Sequence, residues 1–87
     1  MKTMWKFPII GIPSEIKAPG LCLPRFVAAQ GGTICVWAEV TEGEPDRSCV
    51  VTLHGTGHDI ANDEHYVGTL MDGPFVWHYY ATTPGMA

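Results

Sequence analysis

Glycine and proline leave this chain almost nowhere to build a helix. Ten glycines and seven prolines interrupt its 87 residues, and no uninterrupted amphipathic window of useful length survives between them. Charge is equally scarce. Only 16% of residues are charged, and the cations are Lys2, Lys6, Lys17, Arg25 and Arg47. Duplex nucleic acid is gripped by several clustered Lys or Arg that displace counterions. At a net charge of −4, no duplex partner is expected. Serine occurs only at Ser14 and Ser48, neither within a Gly-x-Ser-x-Gly elbow, which removes that form of nucleophilic catalysis. Cys22, Cys35 and Cys49 contain no CxxC pair, which removes a zinc ribbon or a thioredoxin-type motif. Each lies among apolar neighbours and reads as a reduced, buried thiol. No run of about twenty apolar residues exists to cross a bilayer, and the N-terminus shows no apolar segment followed by small residues. The expectation is a cytoplasmic protein with no membrane partner.

What remains is strand chemistry. Met4–Ile10 reads as a first strand, placed at an edge by Pro8, and Ser14–Lys17 as a short second one before the Ala18-Pro19-Gly20 turn. Leu21–Gln30 and Thr33–Val40 flank Gly31-Gly32, a two-residue hairpin turn. In the second arm Ile34, Val36, Ala38 and Val40 share one face and Cys35, Trp37 and Glu39 the other. The first face is the core candidate, which leaves Trp37 for a second layer, a subunit contact or a ligand. An acidic loop, Thr41–Arg47, leads to a strand over Ser48–His54. Asp59–Glu64 reads as a polar loop with room for one helical turn. Strands over His65–Met71 and Phe75–Ala81 follow, around Asp72-Gly73-Pro74. The fold expected is mainly β, a small antiparallel sheet or barrel-like domain of six or seven short strands over residues 1–81. Residues 82–87 are expected as a flexible tail.

The sequence concentrates its chemistry in Gly55-Thr56-Gly57-His58. Two residues without Cβ let the backbone turn so that successive amides converge, and such a concavity takes phosphate or carboxylate oxygens. No Gly-Lys-Ser/Thr follows, so this is not a Walker A loop. The Thr56 hydroxyl, His58 and Arg47 add donors, while Trp37, Trp77, Tyr79 and Tyr80 offer faces for base stacking. For Trp77 an ordinary core role remains equally open. His54 and His58 lie four apart, but the glycines between them preclude a helix, so the helical two-ligand arrangement does not apply and no metal is expected. Asp59, Asp63 and Glu64 near His58 and His65 leave a small phosphodiesterase as an alternative. The aromatic content, large for one small core, points to a homo-oligomer, dimer or tetramer.

An ordered series of short motifs also carries a resemblance. Met1-Lys2-Thr3, Trp5-Lys6-Phe7-Pro8, Ala18-Pro19, Trp37-Ala38, Gly55-Thr56-Gly57-His58, Tyr66-Val67-Gly68-Thr69 and Phe75-Val76-Trp77-His78 follow the order found in a family of short phage and prophage proteins, which this chain resembles over nearly its whole length. It departs from the family's Met-Pro-x-Gly-Ala turn at Ala18-Pro19-Gly20 and adds Thr82–Ala87. The resemblance implies a phage origin and a small β fold, and no reaction. Phage proteins of this size and aromatic content resemble viral sponges that sequester nucleotide immune signals, such as the cyclic dinucleotides of CBASS defence. That likeness implies an oligomeric, non-enzymatic protein of the host bacterial cytoplasm, without a cofactor, whose partner is a small nucleotide ligand. On that reading Arg47, Gly55, Thr56, Gly57, His58, Trp37, Trp77 and Tyr79 would hold the ligand. The competing expectation is an inhibitor that covers a host enzyme through its acidic loops.

Overall fold

Period-two runs cut by turn residues become eight antiparallel strands and no helix in the computed structural model, which describes residues 1–87. One sheet has the order β1 (Lys2–Pro8), β4 (Thr33–Thr41), β3 (Phe26–Gln30). The other has the order β2 (Ser14–Pro19), β5 (Asp46–Gly55), β7 (Phe75–Thr82), β6 (Glu64–Asp72), with β8 (Gly85–Met86) also paired to β5. The expected sheet or barrel is thus two sheets. The chain crosses between the sheets three times, from β1 to β2, from β2 to β3, and from β4 to β5 at the exposed Glu42–Pro45 turn.

Alternation sorts the inner faces as expected. Val36, Ala38 and Val40 of β4 are fully buried, and Ile34 packs against the cluster. From the second sheet Ile16, Ala18, Cys49, Val51, Val67, Tyr79 and Ala81 close the same core. A fully buried valine contributes about 1.5–3 kcal/mol, so β4 alone supplies a large share of so small a domain's stability. Gly31 and Gly32 have φ of 59° and 81°, the doubly positive turn that matches strand twist. β1 pairs only with β4, and Pro8 with the two lysines blunts that open edge.

Several boundaries differ from expectation: β1 spans Lys2–Pro8 rather than Met4–Ile10, β2 runs on through Ala18 and Pro19, residues expected in a turn, and β5 starts at Asp46 rather than Ser48. The strand expected over Leu21–Gln30 begins only at Phe26. Leu21–Arg25 still follows β4 through Cys22 N–H to the Glu39 carbonyl and Arg25 N–H to the Trp37 carbonyl, both 2.9 Å, but Pro24 has no N–H to continue a ladder. In Asp59–Glu64, expected as a loop with room for a helical turn, Asp59–Ala61 is irregular, Asn62 and Asp63 form a turn, and Glu64 already opens β6. In the segment expected as a tail, Thr82 closes β7, and Gly85 and Met86 pair with Ser48 and Arg47.

At one edge the two sheets nearly touch. A Cβ on Gly68 would stand 2.6 Å from Val27 Cγ1, and the β6–β7 ladder shifts register between Tyr66 and Gly68. This bulge has a consequence for the site. Tyr66 and Thr69, three apart, both face outward, opposite Tyr80 and His78.

Candidate functional site

The ladder of β5 with β7 ends at Gly55, opposite Trp77, and the chain then turns through Thr56 and Gly57. Gly57 has φ of 88°, while no residue other than glycine has positive φ. The change of sign between Thr56 and Gly57 is the alternation that aims neighbouring amides at one point. His58 closes the turn reciprocally: its N–H donates to the Gly55 carbonyl at 3.2 Å, and its Nδ1 accepts from the Gly55 N–H at 3.2 Å. Two of the four amides are therefore spent internally. Those of Thr56 and Gly57 make no hydrogen bond within the chain. With Nδ1 accepting, the neutral His58 ring carries its proton on Nε2, a further donor with no hydrogen-bond partner within the chain. Beside the turn lies a cleft of about 360 Å³ lined by Gly55, Thr56, His58, Phe75, Val76 and Trp77 among others. The Phe75 and Trp77 rings stack along its wall at 5.7 Å and 18°.

Behind the turn, the outer face of the second sheet carries a hydrogen-bonded chain. Tyr66 Oη lies 2.6 Å from Thr69 Oγ1, Thr69 Oγ1 lies 2.9 Å from His78 Nδ1, and His78 Nε2 lies 2.9 Å from Thr56 Oγ1. Hydroxyls donate and accept, so the chain can be run from either end. Run from Tyr66, each hydroxyl donates to the next group and His78 Nε2–H donates to Thr56. The Thr56 O–H is then left pointing to an outside acceptor. A second cluster shares this face. Glu64 Oε1 accepts from the Thr52 hydroxyl and lies 2.9 Å from His54 Nε2, while Oε2 accepts from the Ala61 N–H at 2.9 Å. The Thr52 hydrogen bond, then that of His54, holds the Glu64 carboxyl well below the usual range, at about 2. The Tyr80 ring stands edge-on to both His54 and Tyr66, at 5.4 and 5.5 Å, and joins the two clusters.

Of the residues read from the sequence, Gly55, Thr56, Gly57, His58 and Trp77 come together here. Arg47 does not. It sits eight residues from Gly55 along the same strand, about 26 Å at a strand's rise. Trp37 lies in the other sheet, against Phe26 at 5.7 Å. Tyr79 is buried opposite Leu53, and burial, helped by Asp72, raises its phenol pKa. Trp77 packs on the core and also lines the cleft. His78, Thr69, Tyr66 and Phe75 are additions that the sequence reading passed over. Burial, with Glu15 nearby, pushes the Cys49 thiol up to about 11, which leaves it a poor nucleophile. No three His, Cys, Asp or Glu side chains gather as a metal site, and no helix is long and apolar enough to cross a membrane.

Over residues 1–86 the chain matches the family described as a domain of unknown function, DUF7352, and it belongs to that family. No curated protein and no solved structure matches it.

Proposed function

We propose that this chain is a non-enzymatic binding protein that sequesters a small phosphorylated nucleotide on the Gly55–His58 turn. The observation that carries the reading is the pair of unpartnered amides, Thr56 and Gly57, beside a cleft walled by a stacked Phe75–Trp77 pair. The amides, the Thr56 hydroxyl and His58 Nε2–H suit phosphate oxygens, since donors to a charged acceptor make the stronger hydrogen bonds. The exposed Phe75 ring suits a base, which stacking holds by about 1–3 kcal/mol. Taken with the likeness to phage proteins, the biological role proposed is capture of a cyclic di- or oligonucleotide signal in the bacterial cytoplasm, which blunts host antiphage defence. Phe75 is 57% exposed and Met71 80%. Apolar side chains so open beside the cleft favour a homo-oligomer, dimer or tetramer, whose second copy covers them and deepens the site.

A thermal-shift panel of cyclic and linear nucleotides tests this. Ligand at about a hundred times its Kd adds about 2.7 kcal/mol to stability, which a melting curve reads directly. Thr56→Val and His58→Ala should each weaken binding about tenfold, the value of one hydrogen bond to a charged group, while the domain still folds; His58→Ala also removes the Nδ1 contact to the Gly55 N–H, so its melting temperature should fall more than that of Thr56→Val. His78→Ala should weaken binding less, because it acts by orienting Thr56. Gel filtration with and without nucleotide reads the oligomer. If no nucleotide shifts the melting curve, the inhibitor reading gains: Glu42 and Glu44 in the exposed β4–β5 turn, with the exposed Asp46 at the start of β5, suit a basic protein surface. A cleaved product would point to a phosphodiesterase instead.

A further inference from the structure

The chain's few cations are not scattered evenly. Lys6 Nζ donates to Gln30 Oε1 at 2.8 Å, and Arg25 pairs with Glu39 at 3.3 Å. Lys2, Lys17 and Arg47 have no partner within the chain. Two of these three, Lys2 and Arg47, line one cleft of about 490 Å³, together with Thr41, Thr83 and Glu44. It lies at the opposite end of β5 from the glycine turn and spans the sheets: Lys2 and Thr41 come from the first, and Arg47 comes from the second. Its neighbour, which shares Cys22 and Leu23, holds Arg25 and His65, and His65 Nε2 lies 2.7 Å from Thr83 Oγ1. In a chain of net charge −4, two of the three unpaired cations thus share one cleft, with Glu44 the one carboxylate on its lining.

We infer that the cleft between Lys2 and Arg47 is a second anion site, which takes the phosphate of a small organic phosphate. A guanidinium and an ammonium from opposite sheets, with Thr41 and Thr83 on the lining of the same cleft, suit an oxyanion. The volume leaves room for an organic group beyond the phosphate. Glu44 sets the affinity from within, because its carboxylate opposes any anion that enters. An occupant here ties the two sheets together at this end. The site stands apart from the glycine turn, so either can exist without the other.

Calorimetric titration with inorganic phosphate, and then with AMP, in a buffer free of other oxyanions tests the site, with Thr56→Val titrated beside the wild type to separate it from binding at the glycine turn. Binding is expected, and it should weaken as salt rises. Lys2→Ala and Arg47→Ala should each lower affinity about tenfold. Glu44→Gln should raise it by a factor of about 2–5. Thr56→Val should leave phosphate binding at this site unchanged. All three cleft side chains are exposed, so the variants fold and the comparison holds. The site is refuted if the wild type binds neither probe, or if Lys2→Ala and Arg47→Ala bind as the wild type does. Loss of phosphate binding on Thr56→Val alone also refutes it, and assigns the anion to the glycine turn instead.

Discussion

Gly68→Ala should cost the fold about 1–3 kcal/mol, the usual penalty for forcing a carbon into a filled interior. The added Cβ would stand 2.6 Å from Val27 Cγ1, far inside van der Waals contact, so one of the two strands must yield. Val27 cannot swing clear. It is β-branched, almost wholly buried, and lies opposite Val36, whose side of the sheet is packed with the rest of the core. β6 cannot simply back away either, because its register with β7 on both sides of the bulge fixes its height above β3. For a domain of this size each kcal/mol corresponds to about 4–8 °C in Tm. Val27→Ala removes the opposing methyl, so the double variant should be less destabilised than the two single changes added together. Urea unfolding of the four proteins measures that coupling. Strict additivity would mean that the β3–β6 approach is not what Gly68 is for.

The same bulge explains much of what was and was not legible beforehand. Strands announced themselves wherever β-branched residues alternated, and the Gly31-Gly32 hairpin and the edge position of β1 followed from local chemistry alone. Residues 55–58 were legible for the same reason: a turn's amides are fixed by two or three neighbouring residues. His78 was not. Its partners Thr69 and Thr56 are 9 and 22 residues away, and only the register of three strands brings them together. Alternation fails as a guide there, since Tyr66 and Thr69 differ by an odd number yet share a face across the bulge. Arg47 was misplaced by a different cause. Read as the last residue of a loop, it was free to curl toward Gly55. In fact β5 already includes Asp46, and an extended strand holds its two ends apart. What could have pointed to the outer-face network was the polar half of the alternation itself, Thr52 with His54 and His78 with Tyr80.

Glu64 is where that network meets stability, and its removal should be the largest single loss on the outer face. Its carboxylate accepts hydrogen bonds from the Thr52 hydroxyl and the Ala61 amide and pairs with His54. Its side chain is only 8% exposed. Glu64→Ala leaves these donors facing a gap and should cost about 2–3 kcal/mol. The pH dependence follows from the same contacts. The folded carboxyl titrates at about 2, against an ordinary value of 4.5. The unfolded chain therefore takes up the proton first as pH falls. The stabilisation is complete above about 4.5 and is lost progressively as pH drops from there toward 2. Urea midpoints across that range should fall steeply in the wild type and more shallowly in Glu64→Gln, which has no charge to lose. Equal slopes would mean that the Glu64 contacts carry no net stabilisation. The Ala61 bond also fixes the Asp59–Glu64 loop, and His54 directly precedes Gly55. Protonating Glu64 thus loosens the chain on both sides of the Gly55–His58 turn. Nucleotide affinity measured through the same acid range should decline along with the urea midpoint in the wild type, and Glu64→Gln should bind more weakly even at neutral pH.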